Sequence, residues 1–139
     1  MNFSDTELHK RQSHLLMLFM LAEAGGDQNE QEGAFILQVG ERLGLKKKVI
    51  IAIDKKPQNL TFILPKTDKE RNAILYDLLF LMKFDRVVDQ NEIQLIHEVA
   101  FRMGFRPTMT QEMIEVMKVH IGKAVPKNAL LDIIKKHLN

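Results

Sequence analysis

The chain contains an internal repeat, since residues 15–45 align with residues 75–105 at a constant offset of 60 positions. Eight of the 31 aligned pairs are identical, and several identities lie three residues apart, as they would on one face of a helix. The identical pairs are Leu15/Leu75, Leu18/Leu78, Leu21/Leu81, Glu32/Glu92, Ile36/Ile96, Val39/Val99, Arg42/Arg102 and Gly44/Gly104. Each unit is predicted to be a helical hairpin: a helix, a short polar loop and a second helix that ends at a glycine. Two copies are too few for a solenoid, so the repeat favours a compact bundle with internal pseudosymmetry.

Helix starts and stops can be placed from local signals. Four segments have the capping-box pattern, in which a small polar residue is followed three positions later by glutamate: Ser4/Glu7, Asn29/Glu32, Thr67/Glu70 and Asp89/Glu92. Glycines suited to helix C-termini follow at Gly25-Gly26, Gly44 and Gly104. These signals predict one all-α domain over residues 1–139, with helices at about 5–24, 29–43, 46–56, 67–84, 89–103, 108–122 and 127–138.

One helix and one connector are predicted against competing signals. The run from Val49 to Ile53, rich in β-branched residues, favours a strand by propensity, but it occupies the position of residues 109–113 in the second unit, which favours a helix. Residues 58–64 lie between two prolines and are predicted to be an extended connector, because a single unpaired strand is not stable.

Composition restricts the classes of function. Apolar residues make up 45% of the chain and charged residues 27%, which is typical of a globular domain. The chain has no cysteine, which excludes disulfides, thiolate zinc sites and a cysteine nucleophile. Its net charge of +2 provides no strong global field, so nucleic acid is not an expected partner. No phosphate loop, dinucleotide fingerprint or nucleophile elbow is present, and an enzymatic function is not expected.

The apolar run at residues 15–22 has two interpretations. Lys10 and Arg11 precede it, which resembles a signal peptide. However, Asp5 and Glu7 lie in the segment that should be basic, and a similar apolar run recurs at residues 75–82. A helix of the folded domain is therefore the preferred interpretation. No run approaches the roughly 20 apolar residues of a membrane span, and the cytoplasm is the expected location.

The two inter-helix loops are candidates for a cation site. Hard cations such as Ca²⁺ prefer six to eight oxygen ligands. If the two loops face each other, together they supply enough oxygens for one such site. The candidate ligands are Asp27, Glu32, Asp85, Asp89 and Glu92. A purely structural interpretation also holds, because Asn29, Glu32, Asp89 and Glu92 are fully explained as helix caps.

The second unit resembles the tellurite-resistance TerB-like family. The resemblance rests on Asp85-x-x-Val88-Asp89-x-x-Glu92 after an apolar helix, followed by a helix that ends at Arg102-Met103-Gly104-Phe105. It implies about seven helices in two related halves, a link to tellurite and metal-stress phenotypes, and occurrence beside J-domain co-chaperones. It also implies divalent-cation binding at clustered acids, with no enzymatic activity. The family motif is Asp-Gly-x-Ile/Val-x-x-x-Glu, and the chain departs from it in both units. Arg86 replaces the glycine in the second unit, and Gly25 replaces the aspartate in the first.

The expected function is therefore that of a bacterial stress-associated, non-enzymatic binding protein, with Ca²⁺ or another divalent cation as its ligand. The alternative is a metal-free module that binds another protein. Residues 46–71 carry eight basic and three acidic side chains, and the predicted partner surface there comprises Lys46, Lys47, Lys48, Lys55 and Lys56. A second candidate surface is the methionine stripe Met109, Met113 and Met117, which is otherwise a core-facing stripe.

Overall fold

The computed structural model describes residues 3–26, 28–55, 60–85 and 87–138. Within these residues the chain forms seven α-helices and no β-strand, as the sequence predicts. The helices are α1 (Asp5–Ala24), α2 (Glu30–Arg42), α3 (Lys47–Lys55), α4 (Asp68–Met82), α5 (Gln90–Arg102), α6 (Pro107–Val119) and α7 (Ala129–His137). None of these helices is long and apolar enough to cross a membrane.

The helix starts follow the predicted caps, with one difference. Asn29 and Asp89 form complete capping boxes, in which the cap and the glutamate three positions later exchange hydrogen bonds. Ser4 and Thr67 accept only the forward bond, from the backbone N–H groups of Glu7 and Glu70. Their glutamates bond side chains instead of returning to the cap N–H: Glu7 accepts from Arg11 and Glu70 from the Thr67 hydroxyl. Among the described residues, complete capping boxes therefore occur at the ends of the two inter-helix loops, at Asn29 and Asp89.

Two helices end in the same way, 60 residues apart. Gly44 and Gly104 have φ angles of +77° and +92°, the left-handed region that glycine adopts without a Cβ penalty. The N–H of the residue after each glycine bonds back to the carbonyl of Gly40 or Ala100, which is the Schellman arrangement. In both cases four residues separate the end of the helix from the start of the next helix, α3 or α6.

The core is built around α1 and α4. Helix α1 packs against α2, α3, α4 and α5, while α4 packs against α1, α2, α5 and α6. A helix surrounded on most sides must be apolar around most of its circumference, which explains the apolar run at residues 15–22 and the similar run at residues 75–82, where Asp77 is the one charged residue. Leu15, Leu18 and Leu21 are fully buried, as are Leu78 and Leu81. The run that resembles a signal peptide is therefore a central core helix.

The structure shows the conformation of the two segments whose sequence signals compete. Residues Lys47–Lys55 are helical despite their β-branched composition, because Ile50 and Ile53 fall on one face and are buried in the core. Tertiary burial of an amphipathic face outweighs the weak preference of single residues for strand. Residues 60–64 run without regular structure, as predicted for the connector, whereas its first two residues, 58 and 59, lie outside the described residues. Helix α6 ends at Val119, three residues earlier than predicted, and α7 begins at Ala129, two residues later.

Candidate metal centre

Glu32 and Glu92 occupy equivalent positions at the starts of α2 and α5. Each side chain turns back to the helix cap, where its Oε1 atom accepts the backbone N–H of Asn29 (3.0 Å) or Asp89 (3.1 Å). The capping box therefore fixes the direction of both carboxylates. Both residues are buried, with exposed fractions of 1% for Glu32 and 0% for Glu92. Local sequence thus places two acidic groups inside the protein, where an acidic side chain is rarely found without a partner.

The two loops face each other and bring a third acid to this pair. Asp85 follows α4 and is half-buried. One carboxylate oxygen from each of Glu32, Asp85 and Glu92 lies within 4.8 Å of the other two. We refer to these three residues as the acidic triad. Ca²⁺–oxygen bonds of about 2.4 Å allow ligand atoms to be separated by up to twice that length, so one ion can contact all three side chains.

The second oxygen of each buried glutamate has no partner. Oε2 of Glu32 and Oε2 of Glu92 are inaccessible to solvent and accept no hydrogen bond from the described residues. Burying such an oxygen costs free energy, because its hydrogen bonds to water are lost without replacement. Structural capping explains the Oε1 atoms but leaves both Oε2 atoms unexplained.

Gly25 closes one side of the triad. A Cβ atom at this position would lie 2.7 Å from Cδ of Glu92 and 2.9 Å from Oδ2 of Asp85, which is closer than real Cβ contacts allow. The φ angle of Gly25 is −83°, so glycine is required here for space and not for backbone conformation. Gly25 also aligns with Asp85 in the sequence repeat, and it leaves space for the carboxylates of Asp85 and Glu92.

The electrostatics of the triad favour a bound positive charge. Burial raises the pKa of Glu92 from 4.5 to about 9, helped by the neighbouring Asp85 carboxyl group and by the charge of Glu32, while the hydrogen bond from the Asp89 N–H opposes the shift. Burial also raises the pKa of Glu32, and Asp85 adds to this shift, while the N–H of Asn29 opposes it. Desolvation and like charges both disfavour ionised carboxylates. A proton or a cation is therefore needed to relieve the repulsion.

The structure assembles three of the five predicted ligands. Glu32, Asp85 and Glu92 meet in the acidic triad, whereas Asp89 accepts from the backbone N–H of Asn91 at 2.7 Å and acts as a helix cap. Asp27 lies outside the described residues.

Of the two predicted partner surfaces, the lysine surface is exposed and the methionine stripe is buried. Lys46, Lys47, Lys48 and Lys55 are exposed, and Lys56 lies outside the described residues. The methionine stripe is not a surface: Met113 and Met117 are fully buried and Met109 is 6% exposed. The burial of this stripe favours its core role, because α4, α5 and α7 pack against the helix that carries it, and a partner groove formed by these methionines stays a prediction.

Sequence reasoning missed a second buried polar group. Asp77 lies on α4 and is 6% exposed; its Oδ2 atom is 2.7 Å from Nε2 of His14 and also bonds Arg42. This group connects α1, α2 and α4. The available signal was a lone aspartate within the apolar run at residues 75–82, since a charged residue there needs a partner.

Comparison of the chain with protein-family models, with curated proteins and with solved structures gave no match.

Proposed function

We propose that this chain is a non-enzymatic, TerB-like binding protein that holds a divalent cation between its two helical hairpins, with the acidic triad as ligands. The observation that supports this most directly is the pair of buried, unpartnered Oε2 atoms on Glu32 and Glu92. These atoms belong to residues whose Oε1 atoms are already held in place by the caps. The carboxylates are thus oriented before a cation arrives, which reduces the entropy lost on binding.

The donor set fits a hard cation. Three carboxylates supply at least three oxygens, and Ca²⁺ takes six to eight at 2.3–2.6 Å, the remainder coming from water or backbone carbonyls. The chain has no cysteine, and the triad contains no imidazole, so soft metals gain little from it. Calcium and manganese are accordingly the first cations to test.

The direct test is calorimetric titration of metal-free protein with Ca²⁺, Mg²⁺ and Mn²⁺. We expect saturable binding of at least one cation and a rise in melting temperature on its addition, because a ligand that binds only the native state stabilises that state. Glu92→Gln keeps the acceptor for the Asp89 N–H and removes the charge, so the variant should fold while its affinity falls by more than about tenfold.

The matched control is Glu98→Gln, which makes the same chemical change at an exposed position of the same helix. Its affinity should equal that of the wild type. The absence of both binding heat and a change in melting temperature at millimolar concentrations of all three cations would overturn the proposal. Equal losses in the two variants would show that the effect is general electrostatics and not ligation.

The internal pseudosymmetry and the TerB-like assignment belong to the same proposal. They are supported by complete capping boxes on Glu32 and Glu92 and by Schellman ends at Gly44 and Gly104, each pair 60 residues apart. The first unit has Gly25 where the family motif has an aspartate, and this difference distinguishes the chain from the motif. A link to stress phenotypes stays a prediction.

Protein binding through the exposed lysines of the α3 region also stays a prediction. Lys47, Lys48 and Lys55 lie on a short helix that also exposes 48% of Ile51. This combination favours an acidic partner with some apolar surface, and such binding is compatible with a cation at the acidic triad.

A further inference from the structure

A cavity of about 660 Å³ lies between α1, α4 and the connector that precedes α4. Small-molecule sites are typically about 300–1,000 Å³, mostly apolar, with a few convergent polar groups. The apolar wall consists of Leu43, Ile63, Pro65, Ala73 and Ile74, with Tyr76 beside them. No member of the acidic triad lines this cavity, so its properties are independent of the proposed cation site.

A buried polar group joins this wall. Asp77 and His14 are 6% and 7% exposed and share a 2.7 Å hydrogen bond. Arg42 neutralises Asp77 through one nitrogen, Nη2, while 56% of its side chain stays exposed. A guanidinium has five N–H donors, so Arg42 keeps several donors for another acceptor.

The cations that line the cavity outnumber the available acids. Glu7 is paired with Arg11 at 3.0 Å, and Glu70 accepts the Thr67 hydroxyl at 2.9 Å. Among the described residues no carboxylate lies within ion-pair distance of Lys10 or Lys69. The lining therefore carries four cationic side chains against three carboxylates, and Lys10 and Lys69 are the cations without an ion-pair partner among the described residues.

Arg11 has a different role from these lysines. Its guanidinium bonds Glu7 and the Leu43 carbonyl and stacks over the Phe3 ring at 4.1 Å. These contacts hold α1 to the end of α2 and leave Lys10, Lys69 and Arg42 as the groups available to a ligand.

We propose that this cavity binds a small organic anion, in which a carboxylate or phosphate group is carried on an apolar body. The anionic group is bound by Arg42, Lys10 and Lys69, because these cations have unused donors. The apolar body packs against Leu43 and Ile74. Charge supplies orientation and the wall supplies most of the buried apolar area.

The test is a titration of the isotope-labelled 139-residue chain followed by backbone amide NMR. The probes are 1-naphthoate and 1-naphthyl phosphate, and the controls are uncharged 1-naphthalenemethanol and inorganic phosphate. We expect at least one aromatic anion to shift the amides of Thr67, Ala73 and Tyr76 saturably, and each control to bind about tenfold more weakly. The tighter of the two anions identifies the preferred acidic group.

Two variants locate the site. Lys10→Gln combined with Lys69→Gln should weaken binding of the anion about fivefold, whereas the matched pair Lys118→Gln with Lys123→Gln, away from the cavity, should leave it unchanged. Ala73→Leu should fill the cavity and weaken binding; if this variant does not fold, the lysine pair decides. Failure of both anions to bind, equal binding of the uncharged alcohol, or wild-type affinity in the Lys10/Lys69 variant would each overturn the proposal.

Discussion

At the residue scale, the two interpretations of Glu32 and Glu92 prove compatible. Capping uses Oε1 of each side chain, whereas ligation needs an oxygen that is not already bonded, and Oε2 is such an atom. A capping box thus does more than begin a helix here. It turns a long acidic side chain inward and holds it there, since the reciprocal bonds offset part of the cost of burial.

Alanine substitutions at Gly25 and Gly26 distinguish the effect of a crowding Cβ atom from the effect of an unfavourable backbone conformation. Gly25→Ala should lower cation affinity about tenfold, because its Cβ would displace the Glu92 carboxylate. Gly26→Ala should leave affinity unchanged, since nothing lies within 4 Å of its Cβ. Gly26→Ala should instead cost about 1 kcal/mol of stability, because φ is +103° at that position.

Calorimetric titration and denaturant unfolding of both variants check this prediction. Wild-type affinity in Gly25→Ala would show that the carboxylates do not need the space that glycine leaves. An equal loss of affinity in Gly26→Ala would indicate that loop flexibility, and not packing on Glu92, controls the site.

At the element scale, the helices were largely predictable because their boundaries are set by local chemistry. Caps at Ser4, Asn29, Thr67 and Asp89 each bond within three residues along the chain. The predicted C-terminal boundary of α6 is three residues too late, since Ile121 continues the apolar spacing of Met113 and Met117 although the helix has already ended. Periodicity predicts which face is apolar better than it predicts where a helix ends.

The methionine stripe of α6 provides a prediction at this scale. Met113 is fully buried and packs in the core, so Met113→Ala should destabilise the protein by about 3 kcal/mol. Met20→Ala makes the same change at a position that is 38% exposed, and it should cost less than about 1 kcal/mol. Chemical denaturation of both variants measures the difference.

Similar costs in the two methionine variants would contradict the core role of the stripe. A small cost at Met113 would in particular favour a face that is able to repack around a partner, as flexible methionine-rich surfaces do. The burial of Met117 beside it argues for the core.

At the scale of the whole molecule, the acidic triad exists only because the hairpins pack together. Asn29 in the first loop lies 3.5 Å from the carbonyl of Phe84 in the second, and Phe35 contacts Phe84 with ring centroids 5.4 Å apart. These contacts bring Glu32 close to Asp85 although the two are distant in sequence. The apolar contact stabilises a juxtaposition that the carboxylates alone would oppose.

The stability of the metal-free protein should fall as pH rises between about 4.5 and 9. Over this range Glu92, with its pKa raised to about 9, stays protonated in the folded state but ionises in the unfolded state. The folded state then binds more protons, so rising pH favours unfolding. Below about 4.5 the carboxyl is protonated in both states, and above about 9 it is ionised in both, so this contribution becomes constant.

Denaturant unfolding at several pH values, in the presence of a chelator, measures this slope. Glu92→Gln should reduce the slope and should be more stable than the wild type at pH 8 by on the order of 1 kcal/mol, because it removes the cost of holding Glu92 protonated in the folded state when the same carboxyl is ionised in the unfolded state. Saturating cation should reverse the trend, since its binding requires ionised ligands. An unchanged slope in Glu92→Gln would show that other groups control the pH dependence.

The sequence by itself determined the helices and the caps that begin them, because caps, periodicity and glycine ends act over three to six residues. Only the tertiary structure decided which of those acids meet. It brought Asp85 to Glu32 and Glu92 and kept Asp89 as a cap. It also joined His14, Arg42 and Asp77 from three helices around a cavity. Such groupings depend on how helices pack against one another, and packing is set by the shape of the whole core and not by local pattern.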